Sequence, residues 1–336
     1  MAGRAGDGWD PVGTPPFTLA AGDKIATAGS CFAQHVSRHL RQRGLSCFIT
    51  EPGHPMLSPQ LAESFGYDIY SARYGNIYTT RQLLQLWRRA TGRFQPVEDA
   101  WVENGVWFDP FRPTIQPGGF PTQREYKVQR SQHFAAVRRM FEQADVFIFT
   151  MGLTECWASR DDGAVFPLCP GVAAGTFDPQ QHLFVNLSVD EVVADMTHLL
   201  HEVREVNPKL RLILTVSPVP LAATAEEAHV AVATCYSKAV LRVAAGILAR
   251  MPGVFYFPAY EIVTAPGQDY FAADRRSVRE AGVERVMTLF FEHLFRDAPP
   301  PALEAQRGED AFLRESRRVV DILCEEALLD ADPSRV

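Results

Sequence analysis

The chain has 336 residues, 46% of them hydrophobic, and a formal charge of −7, enough to bury a large core as one elaborated domain. The acidic balance argues against a general nucleic-acid-binding surface. No apolar run approaches the roughly 20 residues needed to span a bilayer, and the start, Met1 to Asp10, lacks the apolar centre of a signal peptide, so cytoplasmic residence without membrane attachment is the expectation.

In chain order, Lys24 to Thr27 is a short β-prone run, followed by Gly29-Ser30-Cys31-Phe32-Ala33 and then by Gln34 to Leu40, which has helical spacing. Leu45 to Ile49 is a second strand candidate. Residues 52–132 hold a helix near Arg81 to Ala90 and a hairpin, Trp101 to Phe108, turning at Asn104-Gly105. Pro and Gly then cluster from Pro110 to Pro121. This stretch reads as an insertion or lid over the sheet edge, although its length also permits a small second domain. Asp145 to Thr150 and Leu210 to Val216 are near-continuous apolar strands, as in a parallel sheet buried on both faces, and Gly253 to Phe257 is another. Helical stretches run from Val189 to Val206 and from Ala231 to Arg250. Such alternation predicts a doubly wound α/β fold, a three-layer α/β/α sandwich with a mostly parallel sheet that binds ligands at the carboxyl ends of its strands. One domain is expected over residues 20–298. The polar tail, 299–336, carries a predicted helix from Asp310 to Leu329 that either packs on the body or joins copies in a homo-oligomer.

The six cysteines (Cys31, Cys47, Cys156, Cys169, Cys235, Cys324) contain no CxxC pair and form neither a zinc pattern nor a disulfide framework. No metal or cofactor is expected, and most of these thiols should pack as small apolar groups. Cys31 and Cys156 each follow a strand at a place where sites form. Cys31 in particular sits at a strand-to-helix turn, which presents a nucleophile above the sheet edge with free backbone N–H groups beside it. Those N–H groups can stabilise a developing oxyanion, and the local dipole lowers a thiol pKa. The bland alternative is that any α/β protein has Gly and small residues at such turns.

Gly29-Ser30-Cys31-Phe32-Ala33 at the first strand resembles the signature of the GSCFA family, which is similar to the SGNH/GDSL hydrolase superfamily. Laid against that superfamily's first block, Ile25 to Phe32 matches without a gap, with Cys31 on the nucleophile position and Ser30 on the preceding Asp. The resemblance runs from about residue 20 to 295 and implies an SGNH hydrolase-like fold. It places Tyr74-Gly75-Asn76-Ile77-Tyr78-Thr79 where a second block supplies a backbone N–H to the oxyanion. Gly75 would permit close approach and Asn76 would add a side-chain donor, while Gly-Asn is equally ordinary turn chemistry. Met151 to Trp157 resembles the third block, Gly-x-Asn-Asp, with Thr154 in the Asn position and Glu155 in the Asp position. Alternatively it is a helix start capped by Thr154, with Glu155 favouring the dipole.

The fifth block departs from the pattern. Asp274 to Val283 follows Asp-x-x-His and then Glu-Ala-Gly, except that Ser277 occupies the histidine position. Serine is no general base near neutral pH, so another group must serve or the site needs no strong base. His229, ahead of the helix carrying Tyr236-Ser237-Lys238, is the first substitute, with Asp274 or Glu155 as its orienting carboxylate; His54, in the loop Pro52 to Pro55, is the second. The resemblance thus implies an acyl-transfer enzyme, an acyltransferase or an esterase or thioesterase. Cys31 attacks, with Ser30 as alternative nucleophile if the turn is shifted by one residue. The N–H groups of Cys31 and Gly75 and the Thr154 hydroxyl hold the oxyanion. The partners would be a small-molecule acyl donor and an acceptor, such as a sugar or secondary metabolite. A catalytically silent ligand-binding protein is the alternative.

Overall fold

The computed structural model describes residues 9–43, 45 and 47–295, and for Cys31, His35, Val36 and Gln42 the backbone alone. The predicted Asp310–Leu329 helix and the tail 299–336 lie outside the described residues. Four strands, β1 (Ile25–Ala28), β4 (Val146–Met151), β8 (Arg211–Val216) and β9 (Val254–Tyr256), form an all-parallel sheet in the order β1-β4-β8-β9. Among the described residues the predicted second strand is reduced to a single parallel bridge, Cys47 to Ile25, on the far side of β1. Chain connectivity therefore reverses direction between β1 and β4. In open α/β sheets that switch point is where the strand ends diverge and leave a crevice.

The apolar runs became central strands because both faces of the sheet are covered. With side chains alternating along each strand, Ala26, Ala28, Phe147, Phe149, Leu212 and Leu214 enter one core with α3 (Thr80–Ala90), α4 (Gln123–Gln143), α5 (Val189–Arg204) and α6 (Val230–Leu248). Ile25, Val146, Ile148 and Ile213 enter a second core with α1 (Cys31–Gln42), α7 (Ala259–Thr264) and α8 (Glu280–Leu294). The layers are α/β/α, as predicted. Helix starts follow the cap rules: Thr79, Thr122 and Ser188 accept from N–H groups of the first turns of α3, α4 and α5.

The hairpin forms as read, β2 (Trp101–Glu103) against β3 (Val106–Phe108), with both Asn104 and Gly105 at positive φ. Two features of residues 52–132 were not anticipated. The α3 helix buries Leu83, Leu84 and Trp87 in the main core, so part of the stretch belongs to the body, and α4 runs through position 132 without a break. A short helix, α2 (Pro59–Ser64), precedes them. A three-stranded antiparallel sheet also follows β4: β5 (Glu155–Ser159) lies between β6 (Val165–Phe166) and β7 (His182–Asn186). Its presence corrects the reading of Thr154 and Glu155 as a helix start.

The α6 helix corrects one point of the sequence reading, that no apolar run approaches the length needed to span a bilayer. Its 19 residues are long and apolar enough by length and composition to cross a membrane. In the fold it packs against α5 and β8, with Val232, Tyr236, Val243 and Ile247 exposed on its outer side.

Candidate active site

Gly29 leaves β1 at φ +147°, and a Cβ there would stand 2.7 Å from the Thr150 carbonyl oxygen. Only glycine fits so close an approach in that backbone region. The turn delivers Ser30, the N-cap of α1 in extended conformation, and then Cys31 as the first helical residue. The Ser30 hydroxyl does not cap its own helix. It lies instead against Gly152, whose vacant Cβ position is 3.5 Å from the Ser30 Oγ.

Segment 74–79 is stitched across this edge. The Ile77 N–H donates to the Gly29 carbonyl (2.9 Å), and the Tyr78 carbonyl accepts from both Gly152 (3.1 Å) and Leu153 (3.0 Å). The next strand joins through the Ser217 N–H, which donates to the Met151 carbonyl at 2.9 Å. The ends of β1, β4 and β8 and segment 74–79 therefore share one edge. Gly75 adopts φ +70° with open space where a Cβ would be, and its N–H finds no acceptor among the described residues.

Beside this edge lies an open cleft bounded by Gln34, Glu63, Tyr70, Gly75, Asn76 and Ile115 among others. Gln34 stands one helical turn beyond Cys31. The Tyr70 hydroxyl ties the wall together: it lies 2.7 Å from Asn76 Oδ1 and 3.1 Å from the Ser30 carbonyl oxygen, and accepts from Gln34 Nε2 at 3.0 Å. Asn76 is buried, and its carbonyl accepts from Gln82 Nε2 at 2.8 Å. Burial pushes the Glu63 carboxyl above its ordinary pKa. Among the described residues no group of three or more His, Cys, Asp or Glu side chains is arranged to hold a metal ion.

The other sequence candidates are placed differently. Thr154 is fully buried; its hydroxyl donates to Asn186 Oδ1 at 2.7 Å and its N–H to Ser237 Oγ at 3.1 Å. Its hydroxyl proton is thus already engaged with Asn186. Burial raises the Glu155 pKa, and its Oε1 accepts from Thr224 Oγ1 at 2.7 Å, facing the 224–226 loop. His229 is exposed and caps α6, its Nδ1 accepting from the Ala231 N–H at 3.2 Å. Exposed Asp274 accepts from the Ser277 hydroxyl at 2.6 Å and from the N–H groups of Arg276 and Ser277, and the Ser277 bond above all lowers its pKa. His54 sits in an exposed turn, its Nδ1 accepting from the Met56 N–H at 3.2 Å. None of His229, Glu155, Asp274 and His54 hydrogen-bonds to another, so the proposed base and its orienting carboxylate are not brought together. Cys156 lies on β5, where burial pushes its thiol up to about 12, the state of an inert packing group.

Two buried polar residues of α6 were missed. Ser237 receives the Thr154 N–H, and Lys238, 2% exposed, donates from Nζ to the Gly152 carbonyl at 2.8 Å. Both follow the buried stripe Ala233, Val240, Leu241 and Ala244 at helical spacing, and a lysine on such a stripe is the signal that could have found the second.

These features define a doubly wound α/β protein whose strand-to-helix turn meets an open cleft at the switch point of its sheet. The chain belongs to the GSCFA family, whose sequence profile matches residues 24–290. No curated protein matches it.

Proposed function

We propose that the chain is an acyl-transfer enzyme on an SGNH hydrolase-like fold, with Cys31 as nucleophile and the loops around the cleft as a lid. The observation that carries this reading is the convergence of the Ser30–Cys31 turn, the unengaged Gly75 N–H and the β4–β5 turn at one sheet edge beside an open cleft. The sulfur of Cys31 would attack an ester or thioester carbonyl, placing the oxyanion near the N–H groups of α1 and Gly75. Collapse expels the leaving alcohol or thiol and leaves an acyl thioester, which water or an acceptor alcohol or amine then takes. A site closed from water would favour transfer over hydrolysis.

The purified chain should give a burst of p-nitrophenol from p-nitrophenyl acetate and a +acetyl mass on the peptide containing Cys31. Cys31→Ala should lose at least about 10³-fold of the rate, while Ser30→Ala keeps a measurable fraction. Full activity in Cys31→Ala with loss in Ser30→Ala would move the nucleophile to the hydroxyl.

A second reading, a silent ligand-binding protein, is favoured by one observation: Asp274 is bonded to Ser277 where the resemblance calls for a histidine. Absence of any acyl adduct, together with saturable binding in the cleft, would support it.

A further inference from the structure

An acyl-transfer site of this kind needs a proton acceptor, and the sequence-level candidates are turned elsewhere: His229 caps its own helix and His54 its own turn. A third basic group stands at the edge itself. Lys238 is buried on α6, and its side chain ends 2.8 Å from the Gly152 carbonyl oxygen. Gly152 in turn lies against the Ser30 hydroxyl, at 3.5 Å from its vacant Cβ position. Gly152 therefore stands between the amine of α6 and the turn that opens α1. The preceding residue, Ser237, fixes the same β4–β5 turn through the Thr154 N–H, so α6 is registered on this edge by two consecutive side chains.

We infer that Lys238 is the proton-transfer group of this site, serving the nucleophile of the Ser30–Cys31 turn; the inference rests on the acyl-transfer reading above. A low-dielectric setting disfavours an ammonium, which is what lets buried lysines act as bases near neutral pH, and serine–lysine pairs are an established variant of the triad logic. In its amine form Nζ takes the Cys31 thiol proton as the sulfur electron pair bonds the acyl carbon and the carbonyl π pair moves to oxygen. When the tetrahedral species collapses, the bond to the leaving oxygen or sulfur breaks and that atom takes the proton from Nζ. Deacylation repeats the sequence. Water or an acceptor alcohol gives its proton to Nζ as it attacks the thioester, and the departing Cys31 sulfur receives that proton. No electrons are exchanged with an outside reagent.

The test uses the full chain with p-nitrophenyl acetate, and iodoacetamide labelling at pH 7 read residue by residue by peptide mass spectrometry. Exposed Cys235, on the same helix, is the internal reference. Lys238→Met should lose about 10²–10⁴-fold of the chemical step and slow Cys31 labelling at least tenfold relative to Cys235. Lys238→Gln keeps a donor for the Gly152 carbonyl; proton transfer predicts the same loss, whereas a lysine that merely anchors the turn predicts recovery. Lys238→Arg should not restore turnover, because a guanidinium does not release its proton near neutral pH. Near-normal turnover and labelling in Lys238→Gln, with Cys31→Ala inactive, would overturn the role of Lys238 and leave the acyl-transfer reading standing. Turnover retained in Cys31→Ala, with Cys31 no more reactive than Cys235, would instead remove the reading beneath it.

Discussion

Within residues 51–133, Glu51, Arg73, Arg89, Asp109, Arg112 and His133 form a largely buried layer of ionisable groups, in which Asp109 is paired with Arg112 and Arg89. Arg112 Nε donates to Asp109 Oδ2 at 2.8 Å, its Nη1 to the Arg73 carbonyl at 2.9 Å, and its Nη2 to Gln129 Oε1 at 2.9 Å. The Arg89 guanidinium stacks 3.5 Å over Phe111, and Glu51 Oε2 lies 2.7 Å from His133 Nδ1. Burial works against the Asp109 carboxylate, but Arg112 and Arg89 hold its pKa below the ordinary value. Burial likewise pushes His133 down to about 4, with the Arg112 charge adding to it, so Nδ1 carries a hydrogen at neutral pH and donates to Glu51. The sheet edge is the opposite case. Its groups are backbone amides, small hydroxyls and one buried lysine, and of these Gly75 lines the open cleft. Perturbed titration by itself points to the buried layer and not to the sheet edge; what separates the two is access, since His133 is wholly buried while Gly75 and Asn76 line a cleft.

That contrast can be broken by substitution. Arg112→Met leaves Asp109 buried beside an incomplete set of cations and should cost about 3–5 kcal/mol, read by chemical denaturation. Folded molecules of this variant should keep their Cys31 reactivity; loss of both together would mean the layer is part of the site. Acid should find the layer next. The unfolded chain takes up the His133 proton near its ordinary value of 6.5, the folded chain only near 4. The unfolded state therefore binds more protons in between, and stability falls as pH drops from 6.5 towards 4, by up to about 3 kcal/mol. His133→Gln should flatten that part of the profile, and an unchanged slope would assign the acid response to other groups.

At the edge, Gly29→Ala forces a Cβ into the Thr150 carbonyl at a φ that other residues rarely adopt. The cost should be about 2 kcal/mol, seen as a lower Tm, with the acyl adduct lost as well. His229→Ala is the mildest, removing a helix cap worth about 1 kcal/mol and changing the rate no more than a few-fold. A rate loss near 10³-fold would return His229 to the chemistry and weigh against Lys238.

The strands β1, β4, β8 and β9 were legible because a parallel sheet covered on both faces writes itself as unbroken apolar runs. The hairpin was legible because Asn104-Gly105 supplies the two positive φ angles that a tight turn demands. The β5–β7 sheet was not. Glu155-Cys156-Trp157 follows β4 after only three residues, and its polar start satisfies cap rules as well as strand rules. Of the site, the Gly29–Cys31 turn and Gly75 could be read because glycine was needed there. The place of Lys238 on the buried stripe of α6 was readable, but its contact with Gly152, 86 residues away in sequence, was not, and neither was the engagement of Thr154 by Asn186.

The Tyr78 carbonyl accepts two amides at the exit of β4, while the Ile77 amide closes on the exit of β1. All three hydrogen bonds run to or from segment 74–79. Lifting segment 74–79 breaks all of them at once, and while it stays down none is exposed. Ile77, Gly152 and Leu153 thus belong to one cooperative opening unit, with a common deuterium-uptake rate that reports the making and unmaking of the whole edge.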